Sequence, residues 1–108
     1  MKDWEKLEVY IAERLKEVDP RCKRQKGSGN GMCKGDIKTN LPLHIECKQR
    51  STKDIKISIE TFEKLKSEIP LHCNKLPVLA LENKDGKRYA VLELDDFLEI
   101  IIDVCRKR

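Results

Sequence analysis

The spacing of apolar residues along the chain predicts three helices. In residues 3–18 apolar side chains recur every three or four positions, which is typical of an amphipathic helix. The same spacing recurs at residues 58–69, where Ser58 is a residue type favoured as an N-cap. A third helix is predicted near the C-terminus, with Asp95 or Asp96 as its N-cap and a strongly apolar side.

Alternation of apolar and polar residues predicts the strands between these helices. Strands are expected at residues 35–39, 43–49, 77–82 and 88–94, with a weaker edge strand at 21–26. Asn83-Lys84-Asp85-Gly86 is a hairpin turn sequence. The predicted order is αβββαββα, so the fold class is α/β. Residues 1–108 are expected to form a single domain.

Composition limits the class of protein. Of the 108 residues, 39% are charged and 5% are aromatic, so one small domain with a modest core is expected. No apolar run approaches the roughly 20 residues that cross a bilayer, and acids occupy the N-terminus where a signal peptide is apolar. These features predict a soluble cytoplasmic protein, nucleoid-associated or of intracellular viral origin, without membrane contact.

The cysteines predict neither a zinc site nor a disulfide framework. The five cysteines are an odd number, widely scattered, and no Cys-x-x-Cys pair occurs among them. We therefore expect reduced thiols. Cys47 and Cys105 have apolar neighbours and are predicted to be small core residues.

The positive charge is concentrated in the middle of the chain. The net charge is +4, but residues 21–56 contain ten Lys or Arg against three acids, a local balance of +7. This distribution favours binding of a polyanion, and the alternative is an ordinary solvated surface. The candidate DNA-binding residues are Arg24, Lys26, Ser28, Lys34, Arg50 and Lys53.

The residues with the most distinctive chemistry lie in this basic region. Asp36 precedes a predicted strand that carries Glu46 and Lys48, and side chains two residues apart on a strand share a face. Two carboxylates beside an ammonium suit Mg²⁺ or Mn²⁺ and metal-assisted attack of water on a phosphodiester. The alternative for Glu46 and Lys48 is a cross-strand ion pair on a solvated face of the sheet.

Three further positions are candidates for the same site. Glu8 lies at the edge of the apolar stripe of the first helix, where it would reach a buried metal directly or through water, or else flex into solvent. Gly27-Ser28-Gly29 would let the backbone approach a phosphate, and its alternative is an ordinary flexible loop. His44 shares the strand face of Glu46 and is a candidate for DNA or outer-shell metal contact, although a lone exposed histidine is more often incidental.

The segments Lys34-Gly35-Asp36-Ile37 and Ile45-Glu46-Cys47-Lys48 resemble the PD-(D/E)XK nuclease superfamily. More narrowly, the chain is similar to the small archaeal-type Holliday junction resolvases and their viral relatives. In that group a Glu on the first helix precedes an Arg-x-x-Gly-Ser segment, which here corresponds to Glu8 followed by Arg24 to Ser28. The resemblance spans about residues 4–94. Gly35 replaces the proline that names the superfamily, and the loop from Ser28 to Asp36 is long and rich in glycine.

The resemblance implies a restriction-endonuclease-like core, which is a central mixed β-sheet flanked by helices. It also implies Mg²⁺-dependent cleavage of branched or double-stranded DNA and a homodimer. Carried across, Glu8, Asp36 and Glu46 become metal ligands, with Lys48 and Ser28 as catalytic partners. Two alternatives remain at this point. One is a nuclease of the same superfamily that cuts flaps, nicks or linear duplex, since one active site serves many substrates. The other is a non-catalytic DNA-binding module.

Overall fold

The computed structural model describes residues 3–25 and 35–107. Its helices are α1 (Asp3–Leu15), α2 (Ile59–Ser67) and α3 (Leu94–Arg106), with a 3₁₀ turn at Leu71–Cys73. Its strands are β1 (Lys23–Arg24), β2 (Ile37–Lys38), β3 (Leu43–Gln49), β4 (Leu76–Glu82) and β5 (Arg88–Val91). The α/β class and the predicted order of helices and strands are confirmed in this part of the chain.

The main sheet is mixed and has β4 at its centre. β3 pairs with β4 in parallel, from Leu43 opposite Leu76 to Gln49 opposite Glu82, and β5 pairs with β4 antiparallel. β4 is apolar along almost its whole length because both of its faces are covered. β1 and β2 form a separate short antiparallel pair.

Two apolar clusters hold the helices against the sheet. On one face, Leu7 and Ala12 of α1 join a cluster that includes the small inward-facing residues Cys47 and Ala80. On the other face, Phe62 and Leu65 of α2 pack against Leu79 and Leu81 of β4. Successive strand residues point to opposite faces, so β3 and β4 contribute to both clusters. Fully burying one such aliphatic side chain stabilises the fold by about 1.5–3 kcal/mol.

The ends of two helices differ from their predicted positions. α1 stops at Leu15, and Val18 beyond it is 70% exposed. α3 begins at Leu94 after Glu93, so the prediction of Asp95 or Asp96 as N-cap was wrong. Both aspartates lie instead in the first turn, where negative charge is favourable beside the unsatisfied backbone N–H groups. The Ser58 N-cap is confirmed, because its hydroxyl accepts a hydrogen bond from the Thr61 backbone at 3.1 Å.

The four cysteines within residues 3–25 and 35–107 divide into three kinds of environment. Cys22 and Cys47 are buried free thiols, and burial raises the pKa of each. Cys105 is free but exposed on α3, so its prediction as a core residue was wrong. Cys73 is disulfide-bonded, which contradicts the expectation of reduced thiols at that residue.

In the described ranges no helix combines the length and the hydropathy needed to cross a membrane.

Candidate active site

Asp36 is attached to the edge of β3 by two hydrogen bonds. Its backbone N–H donates to the carbonyl of Ile45 at 2.8 Å, and its Oδ2 accepts from the backbone N–H of Cys47 at 2.7 Å. The carboxylate therefore occupies a place that a neighbouring strand would otherwise take in the ladder. Cys47 lies between Glu46 and Lys48 in the sequence. The three residues predicted to converge, Asp36, Glu46 and Lys48, therefore lie along one short stretch of this edge.

Gly35 makes this attachment sterically possible. A Cβ atom at position 35 would lie 2.5 Å from the carbonyl oxygen of Ile45 and 3.0 Å from its nitrogen. Contacts this close to backbone atoms cannot be relieved by a side-chain rotation, so only glycine fits without moving the chain. The close approach is a physical reason for glycine at the position where the resembled superfamily has proline.

Glu46 is partly buried on the face of the sheet that α2 covers. Burial raises the pKa of Glu46, the ammonium of Lys48 opposes that rise, and the charge of Asp36 adds to it. Within residues 3–25 and 35–107, the side chain of Lys48 has no hydrogen bond and no ion pair within 4 Å. The ammonium of Lys48 is therefore close enough to act on Glu46 electrostatically while its donors remain available.

Glu8 approaches Asp36 from the opposite side of the sheet. It is 5% exposed, and its Oε1 accepts a hydrogen bond from Nε of Arg24 at 3.0 Å. Burial raises the pKa of Glu8, the hydrogen bond from Arg24 lowers it, and the charge of Asp36 raises it again. Glu13 is instead exposed on α1 and pairs with Lys16. The position of Glu8 beside the apolar stripe thus predicted correctly that it lies on the core side.

Asp36 is the acid whose charge affects both of the other two, Glu8 and Glu46. Its charge acts on Glu8 from one side and on Glu46 from the other. No three histidine, cysteine, aspartate or glutamate side chains among the described residues form a group able to hold a metal ion. The arrangement is therefore a pair of carboxylates, Asp36 and Glu46, with Glu8 near enough for the charge of Asp36 to raise its pKa and hydrogen-bonded to Arg24.

The donor chemistry at this edge fits a hard divalent cation. Mg²⁺ is usually bound by one or two protein carboxylates and completes its octahedron with water and substrate phosphate oxygens. Asp36 and Glu46 are such a pair, and the raised pKa of Glu46 reflects a buried negative charge that a cation would stabilise. Nδ1 of His44 is a further buried polar atom here, without a hydrogen-bond partner in the described part of the chain.

His44 is not the exposed histidine that its sequence position suggested. It is 4% exposed, and burial together with the nearby ammonium of Lys75 lowers its pKa, which favours the neutral imidazole. Its side chain lies on the face of the sheet that α2 packs against, so solvent is excluded. Direct contact of His44 with DNA is therefore contradicted by its burial.

The predicted DNA-binding residues fall into three groups. Lys26, Ser28 and Lys34 lie outside the described residues. Arg24 points inward, since its guanidinium binds Glu8 and lies 4.0 Å from Glu5. Arg50 and Lys53 follow β3 directly, and Lys53 is exposed to solvent. Arg50 and Lys53 therefore remain candidate contacts for a polyanion in the described part of the chain.

The polar segment 50–56 is held in place by the hairpin between β4 and β5. The backbone N–H of Arg50 donates to the carbonyl of Glu82 at 2.8 Å, and that of Lys84 donates to Thr52 at 3.1 Å. The side-chain amide of Asn83 donates to the carbonyl of Lys53 at 3.0 Å. Sequence reasoning treated Asn83 only as a turn residue and missed this second contact.

Asn83 uses both ends of its amide. Its Oδ1 accepts from the backbone N–H groups of Asp85 and Lys87, which closes the turn in which Gly86 has a φ of 78°. Asn83 is 4% exposed, and its hydrogen bonds to Lys53, Asp85 and Lys87 are partly buried. A buried asparagine at the end of a strand was the available signal, because such a residue needs partners on both sides.

No family model, curated protein or solved structure matches this chain. The edge of β3 offers two carboxylates for a cation, one ammonium beside them, and a fixed basic segment that follows.

Proposed function

We propose that this protein is a Mg²⁺-dependent endonuclease of the PD-(D/E)XK type that hydrolyses phosphodiesters in structured DNA. A four-way junction is the proposed preferred substrate, and Mn²⁺ is expected to replace Mg²⁺. The observation that carries the proposal is the hydrogen bond from the Cys47 backbone to the Asp36 carboxylate at 2.7 Å. It fixes one acid beside the strand that bears Glu46 and Lys48, the combination that the sequence resemblance requires.

Each residue has a stated task in this proposal. Asp36 and Glu46 hold the cation, and Glu8 reaches it directly or through water from the side of α1. When bound, the cation supplies a water of lowered pKa and offsets charge on the phosphorus. Lys48 donates hydrogen bonds to the attacking water or to the negative charge that develops on the phosphate.

The remaining residues of the proposal bind the DNA backbone. Arg50 and Lys53 contact phosphates as the strand leaves the site, since they belong to the fixed segment after β3. Ser28, Lys26 and Lys34 keep their predicted phosphate contacts as expectations. These contacts fix the register of the DNA without reading its sequence. The preference for a branched substrate rests on the resemblance alone, and the resemblance also implies a homodimer.

The decisive experiment compares Asp36→Asn with the wild type on a labelled four-way junction, first with Mg²⁺ and then with EDTA. Asparagine keeps an acceptor for the Cys47 N–H, so folding is preserved while a negative metal ligand is lost. We expect cleavage to fall by at least about a hundredfold while DNA binding persists. Asp103→Asn makes the same chemical change on an exposed part of α3 and should cut at the wild-type rate.

Two outcomes would reject this proposal or part of it. Wild-type cleavage by Asp36→Asn, or no Mg²⁺-dependent cleavage of any DNA, would favour the non-catalytic DNA-binding module. Equal rates on the junction and on a linear duplex of matched sequence would remove the junction preference and leave the nuclease.

A thermal melt adds a second readout, because bound Mg²⁺ at ten times its Kd stabilises a protein by about 1.4 kcal/mol. That stabilisation should be lost in Asp36→Asn.

A further inference from the structure

One side of α3 is apolar and exposed. Six large apolar side chains have exposures that range from 39% at Ile102 to 68% at Leu94. They are Leu94, Phe97, Leu98, Ile101, Ile102 and Val104. Together they expose on the order of 500 Å² of side-chain surface, which is as large as the biggest apolar patch on a typical monomer. Patches of this size in water usually mark a surface that another molecule covers.

The exposed residues form a continuous seam along α3. At about 100° per residue, Leu94, Leu98, Ile101 and Cys105 lie within about 60° of one another. Their spacings of four, three and four are those of the contact line between two packed helices. Phe97 and Ile102 flank this line. The thirteen residues of α3 give a seam about 20 Å long.

An apolar groove continues this face at the start of the helix. It has a volume of about 310 Å³, and Leu92 and Glu93 form its wall next to α3. Ile57, Phe62 and Val91 supply most of its apolar lining. The groove therefore enlarges the surface that a partner could cover toward the roughly 800 Å² per partner that a stable interface requires.

The charges on the rest of α3 select a protein as the partner. Asp96, Glu99 and Asp103 occupy the side opposite the seam. An amphipathic helix that binds anionic lipid carries Lys and Arg beside its apolar side, and a helix that binds DNA carries them toward the phosphates. Three acids repel both of these partners. The apolar seam therefore suits a protein surface.

The positions of Asp95 and Arg106 indicate which protein surface covers the seam. They are eleven residues apart, which is three turns, so they lie on the same flank of the seam within about 20° of each other. When two copies of a helix pack antiparallel about a two-fold axis, equivalent flanks face each other. Asp95 of each copy then meets Arg106 of the other, and the axis passes near Ile101. A parallel pair would instead place the flank of Asp95 and Arg106 against the flank of Phe97 and Val104, which offers no opposite charge.

We propose that the apolar face of α3 is the interface of a homodimer in which the two α3 helices pack antiparallel, with Asp95 of each copy paired to Arg106 of the other. The occupant of the face is a second copy of this chain. The antiparallel arrangement also sets the positive end of each helix dipole beside the negative end of the other. Nuclease activity is not part of this inference, which rests on α3 and its groove alone.

The test measures mass in solution as a function of protein concentration, by sedimentation equilibrium or light scattering. The wild type is expected to be dimeric at high concentration and to dissociate on dilution. Ile101→Asp should give a monomer at every concentration, because it places two carboxylates on the two-fold axis. Ile101 is already 44% exposed, so the far-ultraviolet circular dichroism of the variant should remain that of the wild type.

Charge reversal tests the orientation. Asp95→Arg alone and Arg106→Asp alone should each weaken the dimer by about tenfold. The double variant should recover most of the wild-type affinity, because the exchanged charges attract again. Any loss of helix stability from arginine in the first turn persists in the double variant, so recovery reports the pair itself. Asp103→Arg reverses a charge on the opposite side of α3 and should leave the affinity unchanged.

Cysteine oxidation gives an independent readout of orientation. With the axis near Ile101, the two Cys105 residues are about 13 Å apart along the helices, beyond the reach of a disulfide. A parallel pair would bring them together. Disulfide-linked dimers formed by mild oxidation and lost in Cys105→Ser would overturn the antiparallel arrangement. A monomeric wild type, or a dimer that survives Ile101→Asp, would overturn the interface itself, whatever the cleavage assay shows.

Discussion

The edge of β3 around Asp36 and the apolar face of α3 differ in what they bury. At the edge, carboxylates are removed from water: Glu8 is 5% exposed, and burial raises the pKa of both Glu8 and Glu46. On α3, isoleucine and leucine side chains remain in water. Both arrangements cost free energy in the isolated chain.

The difference lies in what would relieve each cost. The buried carboxylates gain from a cation or a proton, so the edge should respond to Mg²⁺ and to pH. The exposed apolar side chains gain from another protein surface, so α3 should respond to protein concentration. The two regions therefore offer separate experimental controls, and a variant of one should leave the other unchanged.

The largest expected effect comes from Gly35→Ala. The new Cβ would collide with the Ile45 carbonyl at 2.5 Å and displace the neighbouring Asp36. A displacement of about 1 Å in a catalytic group can reduce the rate by about a hundredfold, and junction cleavage in Mg²⁺ measures it. Gly86→Ala is the control, because nothing lies within 4 Å of its Cβ and the strain at φ 78° affects only the hairpin. Wild-type cleavage by Gly35→Ala would show that the close approach is not needed, and dimerisation should be unaffected in either variant.

A smaller effect is expected when Arg24 is replaced by glutamine. Glu8 then remains buried without its guanidinium partner, and the free energy of unfolding should fall by about 2 kcal/mol at neutral pH. The deficit should shrink as the pH falls and Glu8 takes up a proton. Arg14→Gln breaks an ion pair with Glu17 whose side chains are 66% and 69% exposed, so its effect should be near zero. Urea titrations of both variants at two pH values provide the measurement, and equal losses would refute the distinction between buried and exposed pairs.

The smallest effect is a gain in stability from Glu46→Gln. The pKa of Glu46 is raised on folding from its ordinary value of 4.5, so the folded protein keeps a proton that the unfolded chain has released. Stability from this group is therefore present below pH 4.5 and is lost as the pH rises through the folded pKa. The amide avoids that loss, and at pH 7 without metal we expect a gain of about 1 kcal/mol or less, which disappears toward pH 4.

Glu99→Gln is the matched change for Glu46→Gln, because Glu99 is exposed on α3 and should alter stability at neither pH. Thermal melts in EDTA compare the two. A Glu46→Gln protein that is less stable than the wild type at pH 7 would mean that the charge at position 46 is well accommodated without a cation.

Sequence periodicity was sufficient for most of the fold. β4 is apolar on both faces and therefore reads as a central strand, and Ser58 begins α2 with an ordinary N-cap. The end of α1 was less predictable, because Val18 continues the apolar spacing although the helix has already stopped at Leu15. There Asp19 accepts hydrogen bonds from Thr39 at 2.6 Å and from the Asn40 backbone at 2.8 Å. Those partners are twenty residues away, where local patterns carry no information.

The candidate site was predictable in its residues but not in its contacts. The spacing of Glu46 and Lys48 and the position of Glu8 on α1 gave their faces correctly. The partnership of Glu8 with Arg24 was not foreseen, because an arginine in a basic region reads as a surface residue. His44 was misjudged for a related reason: alternation gives the face of a strand, but whether a helix covers that face depends on tertiary packing.

The hydrogen bonds from Asn83 and its neighbours to the segment after β3 affect the entropy cost of binding a polyanion. A loop of this kind would ordinarily lose conformational freedom when it grips a ligand, and that loss weakens binding. Here the carbonyls of Thr52 and Lys53 are already fastened to the hairpin, so the ammonium of Lys53 extends from a rigid support. This segment becomes ordered when the protein folds. Binding of a phosphate therefore has to order only the side chain of Lys53.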